Sequence, residues 1–299
     1  MSALTLRLFG NGILATALNG IFGSLKATIA FFICIVLILA AVFAPWLAPQ
    51  NPYDLMQIDF FDAKLPPMSE SMNGMVYLLG TDTQGRDMLS AMLYGLRTSL
   101  GVGLTAGLLA LVVGSALGLL AAYAGGRIDA LIMRVVDLML GFPTILIALL
   151  ILAVLGQGTW KVIMALVLVQ WAYFARAARG AALVEVNKDY VEAARCLGLG
   201  RGRILFSHLL PNCLPPLMVI GTIQIASAIA TEATLSFLGI GLPITEPSLG
   251  LLISNGYQVL LAGLYWISVY PGLLLLTLVF VINIVGDRLR EVFNPRLAA

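Results

Sequence analysis

Thr98–Tyr123 reads TSLGVGLTAGLLALVVGSALGLLAAY, an apolar run without one charged side chain, closed by Gly125-Gly126-Arg127. A helix needs about 20 apolar residues to cross the hydrocarbon core of a bilayer. This stretch is long enough. Five more apolar runs flank it: Ala27–Leu47 before it, then runs within Ala130–Leu155 and Trp160–Phe174, near Cys213–Leu238 and over Trp266–Val285. Together they predict an all-α polytopic membrane protein with six transmembrane helices. The first run exceeds the 7–15 apolar residues of a cleaved leader, so it reads as an uncleaved anchor.

Composition agrees. The chain has 299 residues, 60% of them hydrophobic and 11% charged, and a mean hydropathy of +0.99, far from a soluble domain. A formal charge of +2 is too small and scattered for a nucleic-acid surface. Cys34, Cys196 and Cys213 form no C-x-x-C pair, and His208 is the sole histidine. Neither a disulfide framework, a metal site nor a histidine-based hydrolase is indicated. There is no G-x-x-x-x-G-K-[ST] loop for a nucleotide, so the chain reads as neither an enzyme nor a cofactor carrier.

Basic residues give an orientation. With the N-terminus cytoplasmic, Arg7, Lys26, Arg127, Arg176, Arg179, Lys188, Arg195, Arg201, Arg203, Arg288, Arg290 and Arg296 fall inside. Only Lys64, Arg86, Arg97 and Lys161 fall outside. This bias places both termini in the cytoplasm. The chain then divides into a cytoplasmic segment 1–26, a first span 27–47, an external segment 48–97, a five-helix core 98–290 and a tail 291–299. Inside the core lie a cytoplasmic loop 176–212 and an external loop 239–264. Asp54, Asp59, Asp62, Glu70, Asp82 and Asp87 suit a solvated external segment.

The cytoplasmic loop reads RAARGAALVEVNKDYVEAARCLGLGRGRILFSHLLPN over residues 176–212. Asp189 can cap a short helix that carries Tyr190, Ala194 and Leu197 on one face and stops at Gly198. Tyr190, Ala193, Ala194 and Leu197 would form an apolar knob, and Glu192 could pair with nearby arginines. A second short helix, Arg201–Leu210, would end before Pro211. In the fifth span Gln224, Ser227, Thr231 and Thr234 recur at helical spacing beside Glu232. They read either as a solute-facing stripe or as interhelical hydrogen-bond glue. Arg134 and Asp137 suggest an ion pair in the third span. Gly114, Gly118 and Ala122 suit close helix packing.

Glu192-Ala193-Ala194, then Gly198 and Leu210-Pro211, resemble the EAA loop of ABC importer permeases, with His208 where isoleucine is usual. Gly80-Thr81-Asp82, Gly85-Arg86-Asp87, Ser90 and Tyr94-Gly95 are similar to the C-type permeases of bacterial dipeptide, oligopeptide and nickel ABC importers, with Ala91 in place of arginine. Glu232-Ala233, Leu235–Gly239, Gly241 and Pro247–Gly250 extend the likeness, with Leu249 where tryptophan is common, as do Met133-Arg134, Asp137, Pro143, Gly286–Arg290 and Asn294-Pro295. The resemblance implies a type I importer permease of the bacterial inner membrane. It further implies a heterodimer with a second permease, two cytoplasmic ATPase subunits that use ATP and Mg, and an extracytoplasmic solute-binding protein. Tyr190, Glu192, Ala193, Ala194, Leu197, Gly198 and Pro211 would couple to the ATPases. The cargo would be dipeptides or oligopeptides, with nickel or another small solute as the alternative. An ion-coupled carrier would carry more acidic groups at mid-membrane and has no reason for the EAA loop.

Overall fold

A computed structural model describes residues 12–54, 56–71 and 74–293; Arg7, Asn294, Pro295 and Arg296 lie outside the described residues. Helix α1 (Ile13–Phe22) leads into α2 (Leu25–Val42) and the one-turn α3 (Ala44–Leu47). A short hairpin of β1 (Ser69–Glu70) and β2 (Val76–Tyr77) precedes α4 (Met88–Ala124). Then come α5 (Gly126–Leu140), α6 (Thr144–Leu155), α7 (Thr159–Val186), α8 (Asp189–Cys196), α9 (Arg201–Ile204), α10 (Leu210–Phe237), α11 (Leu249–Tyr257) and α12 (Trp266–Phe293).

Five helices are long and apolar enough to cross a membrane, and the pair α5 and α6, bent by 89°, makes a sixth crossing if taken as one span. Packing decides that it does. Helices α4 and α7 run side by side in the same direction: Gly114 lies against Trp171 and Phe174, and Gly118 against Ala175 and Ala178. The chain between them must therefore return across the membrane. A Cβ on Gly114 would sit 2.3 Å from the Trp171 carbonyl oxygen, so the small-residue seam read from the sequence is what lets the two backbones touch.

The third span is thus not the continuous helix expected over 130–155. Gly141, Phe142 and Pro143 separate its halves, because proline drives the preceding residue out of the helical region. The first run is likewise divided at Phe43, where Pro45 starts α3. The fourth span extends to Val186 instead of stopping near Phe174. Its added turns carry Arg176, 2.5 Å from Asp137, and Arg179, which makes a two-pronged contact with Asp129 at 2.5 and 2.6 Å. Asp137 therefore pairs across helices and not with Arg134, which is exposed.

Two further expectations change. Residues 239–264 do not form a plain loop, since α11 folds back with Leu249, Gly250, Leu251 and Leu252 buried, and Gly250 rests on the Ala233 backbone. Helix α9 does not end before Pro211. It passes through a wide π turn, Leu205–Leu209, straight into α10. The wider turn loosens the hydrogen-bond ladder where Pro211, Pro215 and Pro216 supply no N–H. At the far end, the Arg288 side chain donates to the Gly20 carbonyl at 2.9 Å, so both described ends of the chain lie on one side of the bundle.

Candidate functional site

The loop after α7 is built around one small helix. Helix α8 starts at Asp189, with Lys188 as its cap residue and no side-chain cap hydrogen bond, so Asp189 lies in the first turn and favours the helix dipole. Its stop is as expected. Gly198 has φ +72°, the Leu199 amide donates to the Ala194 carbonyl at 3.2 Å and the Gly198 amide to that of Arg195 at 2.9 Å. This is a Schellman closure, which favours glycine at the left-handed position.

The knob divides into two faces. Val191 and Ala194 are buried with Ile204 and Leu209, and Tyr190 packs beside them. Glu192, Ala193 and Leu197 point away from the protein, Leu197 with 79% of its surface exposed. Glu192 has no ion pair among the described residues; it lies on the solvated face, away from α7. The bracing falls to other groups: Tyr190 donates to Glu185 at 2.7 Å and accepts from Asn212 at 3.2 Å, and the Arg195 guanidinium lies over the Tyr123 ring at 5.6 Å. Burial first, then the Glu185 carboxylate, pushes the Tyr190 phenol up to about 12. Pro211 sits inside the continuous helix and takes no part in this cluster.

In α10 the polar residues separate. Gln224 and Glu232 are buried, Ser227 and Thr231 half-buried, and Thr234 exposed. The hydroxyls of Thr231 and Thr234 are turned back onto the carbonyls of Ser227 and Ala230, each at 2.7 Å. Glu232 has no exposed surface. It accepts from Ser99 of α4 and from Ser236, each at 2.8 Å. The structure thus brings Glu232 to a junction of α4, α10 and the start of α11, where Ser99 also meets the Leu249 amide at 3.4 Å.

The segment before α4 is only in part the solvated acidic stretch expected: Glu70 is exposed and Asp54 and Asp59 half-buried. Asp62, Asp82 and Asp87 are buried. Asp82 takes the Arg86 Nε at 2.6 Å, with Nη2 2.6 Å from the same oxygen, and Arg86 is the largest fully buried side chain. Asp87 caps α4 by accepting from the Ser90 amide at 2.8 Å and the Ser90 hydroxyl at 2.6 Å, while burial pushes its carboxyl up. Thr81 donates to the Asp62 carbonyl at 2.5 Å, and Trp266 of α12 donates to the Thr81 carbonyl at 3.1 Å. Gly80 and Gly85 both have positive φ, and a Cβ on Gly85 would meet the Asp59 carbonyl oxygen at 2.2 Å. The motif is a buried knot that ties the segment to α4 and α12.

Residues 110–299 match the family described as binding-protein-dependent transport system inner membrane component, and residues 26–67 match the N-terminal transmembrane domain of oligopeptide transport permease C. The chain belongs to this family of transport-system inner membrane components. The permease is 39% identical over 264 residues, 88% of its length and 86% of the relative's, to the di/tripeptide transport system permease protein DppC of Pseudomonas aeruginosa (strain UCBPP-PA14). It is 40% identical over 272 residues, 91% of its length and 89% of the relative's, to the dipeptide transport system permease protein DppC of Escherichia coli (strain K12). A solved chain of the MetNI methionine ABC transporter, inward-facing, superposes with a TM-score of 0.56 at 22% identity, covering 69% of this chain and 97% of that one; this likeness establishes the fold. The permease is a multi-pass protein of the inner membrane with the type I importer fold.

Three features of the permease escape the sequence reading. Val191, fully buried, anchors α8, though only the i, i+3 step from Val191 to Ala194 hints at it. Tyr123 sits at the end of α4, far in sequence from the Arg195 it underlies. Asp62 binds Ser71 at 2.5 Å and Tyr77 at 2.9 Å through a hairpin too short to leave a periodic signal.

Proposed function

We propose that the permease is one transmembrane half of an ATP-driven importer that moves short peptides across the inner membrane by alternating access. Near full-length identity of 39–40% with permeases named for dipeptides and di/tripeptides carries this reading. Both termini lie in the cytoplasm in this reading, as the distribution of lysine and arginine favours. Two ATPase subunits bind there, using ATP and Mg. Their contact is the outward face of α8, Glu192, Ala193 and Leu197, whose exposed apolar surface and small Ala193 side chain suit a partner groove. Tyr190, Ala194 and Gly198 hold that face in place from behind. A second homologous permease completes the channel, and a solute-binding protein delivers cargo to the side bearing residues 48–87.

Uptake tests the reading. The complex of this permease with its partner permease, ATPases and binding protein, reconstituted in proteoliposomes, should accumulate radiolabelled dialanine only when ATP and the binding protein are both present. Uptake driven by an ion gradient without the ATPases would overturn it. A cysteine at Leu197 should resist an impermeant reagent applied outside intact cells, and one at Asp59 should react; the reverse would invert the orientation.

A further inference from the structure

On the side of the bundle that carries residues 48–87, a cavity of about 660 Å³ opens among Tyr53, Tyr94, Arg97, Thr98, Thr159 and Glu246. That volume lies within the roughly 300–1,000 Å³ of small-molecule sites. Its walls come from four parts of the chain: the segment before α4, the first half of α4, the start of α7 and the loop before α11. Two opposite charges line it. Arg97 is exposed and Glu246 half-buried, and among the described residues neither takes part in an ion pair, with the other or with any third group. Opposite charges in one cavity normally close on each other when they can reach. Here they are held apart.

One contact restrains the acidic side. The Thr159 hydroxyl donates to one Glu246 carboxylate oxygen, which fixes that side chain and leaves its second oxygen for another donor. Two rings line the same cavity: Tyr53 meets Tyr94 edge to face with centroids 5.3 Å apart, and the Tyr53 hydroxyl lies 3.4 Å from that of Thr98. Burial raises the Tyr53 phenol, and the charges of Glu246 and Arg97 both reach it with opposite sign. The cavity therefore offers a guanidinium, a half-free carboxylate, hydroxyls and an aromatic wall. That set complements a small zwitterion, which can satisfy both charges at once, better than a solute of single charge.

Resting on the peptide reading above, we propose that this cavity is an entry subsite for a short zwitterionic peptide, with Arg97 taking its α-carboxylate and Glu246 its α-ammonium. The aromatic wall would accept the side chains without selecting among them. Thr105 lines the same cavity and is exposed, which makes it a reporter outside the charge contacts.

The test uses the reconstituted complex, with Cys34, Cys196 and Cys213 replaced by alanine and Thr105→Cys introduced. Dialanine should slow labelling of that cysteine by an impermeant thiol reagent, and N-acetyl-dialanine amide, which has neither charge, should not. In Arg97→Gln or Glu246→Gln backgrounds the dialanine needed for half-protection should rise roughly fivefold, as loss of one partly exposed charge contact implies. Equal protection by the blocked peptide, or none by dialanine, overturns the proposal. If dialanine is still taken up in that case, the subsite falls and the peptide function stands; if no peptide is taken up at all, the peptide reading falls first. If the glutamine variants instead lose stimulation of ATP hydrolysis by unloaded binding protein, the cavity is a protein contact and the proposal is wrong.

Discussion

Two regions outside the spans are built in opposite ways. The segment from Asp62 to Ser90 buries three carboxylates and an arginine, and it ties itself to Gln50 and to α12 by side-chain hydrogen bonds across long sequence separations. Helix α8 has eight residues, rests on a small cluster around Val191 and Ala194, and presents Glu192, Ala193 and Leu197 outward. The first holds elements together and the second offers a face. Damage to the first should appear as lost stability, and damage to the second as lost partnership with the bundle intact.

The largest effect expected is at Asp82. Asp82→Ala leaves the buried Arg86 without its counter-charge, a loss of about 3–5 kcal/mol, read as a sharp fall in detergent-solubilised folded protein and in its melting temperature. Unchanged melting would mean that water or lipid headgroups already satisfy the arginine.

Gly198→Val comes next. It forces a β-branched residue to φ +72°, costing about 1–3 kcal/mol locally, while the spans still insert. Copurification of the ATPases and binding-protein-stimulated ATP hydrolysis should drop, with the melting of the bundle little changed. Unfolding of the whole chain would erase the distinction between the two regions.

A sharper contrast uses Ala193→Arg, which changes only the outward face and should alter stability by no more than about 0.5 kcal/mol. ATPase retention should nevertheless be lost. Full uptake with normal retention would show that α8 is a connector.

The smallest effect is shared. Burial first, then a carboxylate in each case, pushes Tyr77 and Tyr190 up from 10.0 to about 12. The folded state keeps a proton that the unfolded chain has released, so the stabilisation present below pH 10 fades as pH rises toward 12. Tyr190→Phe should remove this alkaline sensitivity from ATPase retention and leave it in the melting of the bundle; no difference between wild type and variant would contradict the assignment.

Much of the fold is legible because hydropathy reports the solvent, and the six apolar runs all lie in the membrane bundle. It is blind to backbone breaks, so the bend at Gly141–Pro143 needed proline's effect on Phe142 to outweigh apolar residues that continue on both sides of it. Charge misleads in a similar way. Asp62 looks solvated in sequence because its partner Tyr77 lies 15 residues on, and Asp82 and Asp87 because the burial of their near neighbours Arg86 and Ser90 shows only once the segment is folded. For α8 the helix and its stop at Gly198 are legible from local rules, whereas the buried face is not. Helical spacing from Tyr190 selects Leu197, and the cluster contributed by Ile204 and Leu209 selects Val191.

In the importer proposed above, the unbroken path from Arg201 to Phe237 would set how a push on the cytoplasmic loop travels. A linker would absorb a push as slack. Here the weak points of the ladder are the wide turn at 205–209 and the prolines at 211, 215 and 216, so a displacement at the Arg201 end would reach the other end of the shaft as rotation or tilt. Near that end Glu232 is bolted to Ser99. The fifth span also packs on α7, α11 and α12, so a tilt of it relative to α4 would have to stretch or release the Glu232–Ser99 bond as well as slide those faces.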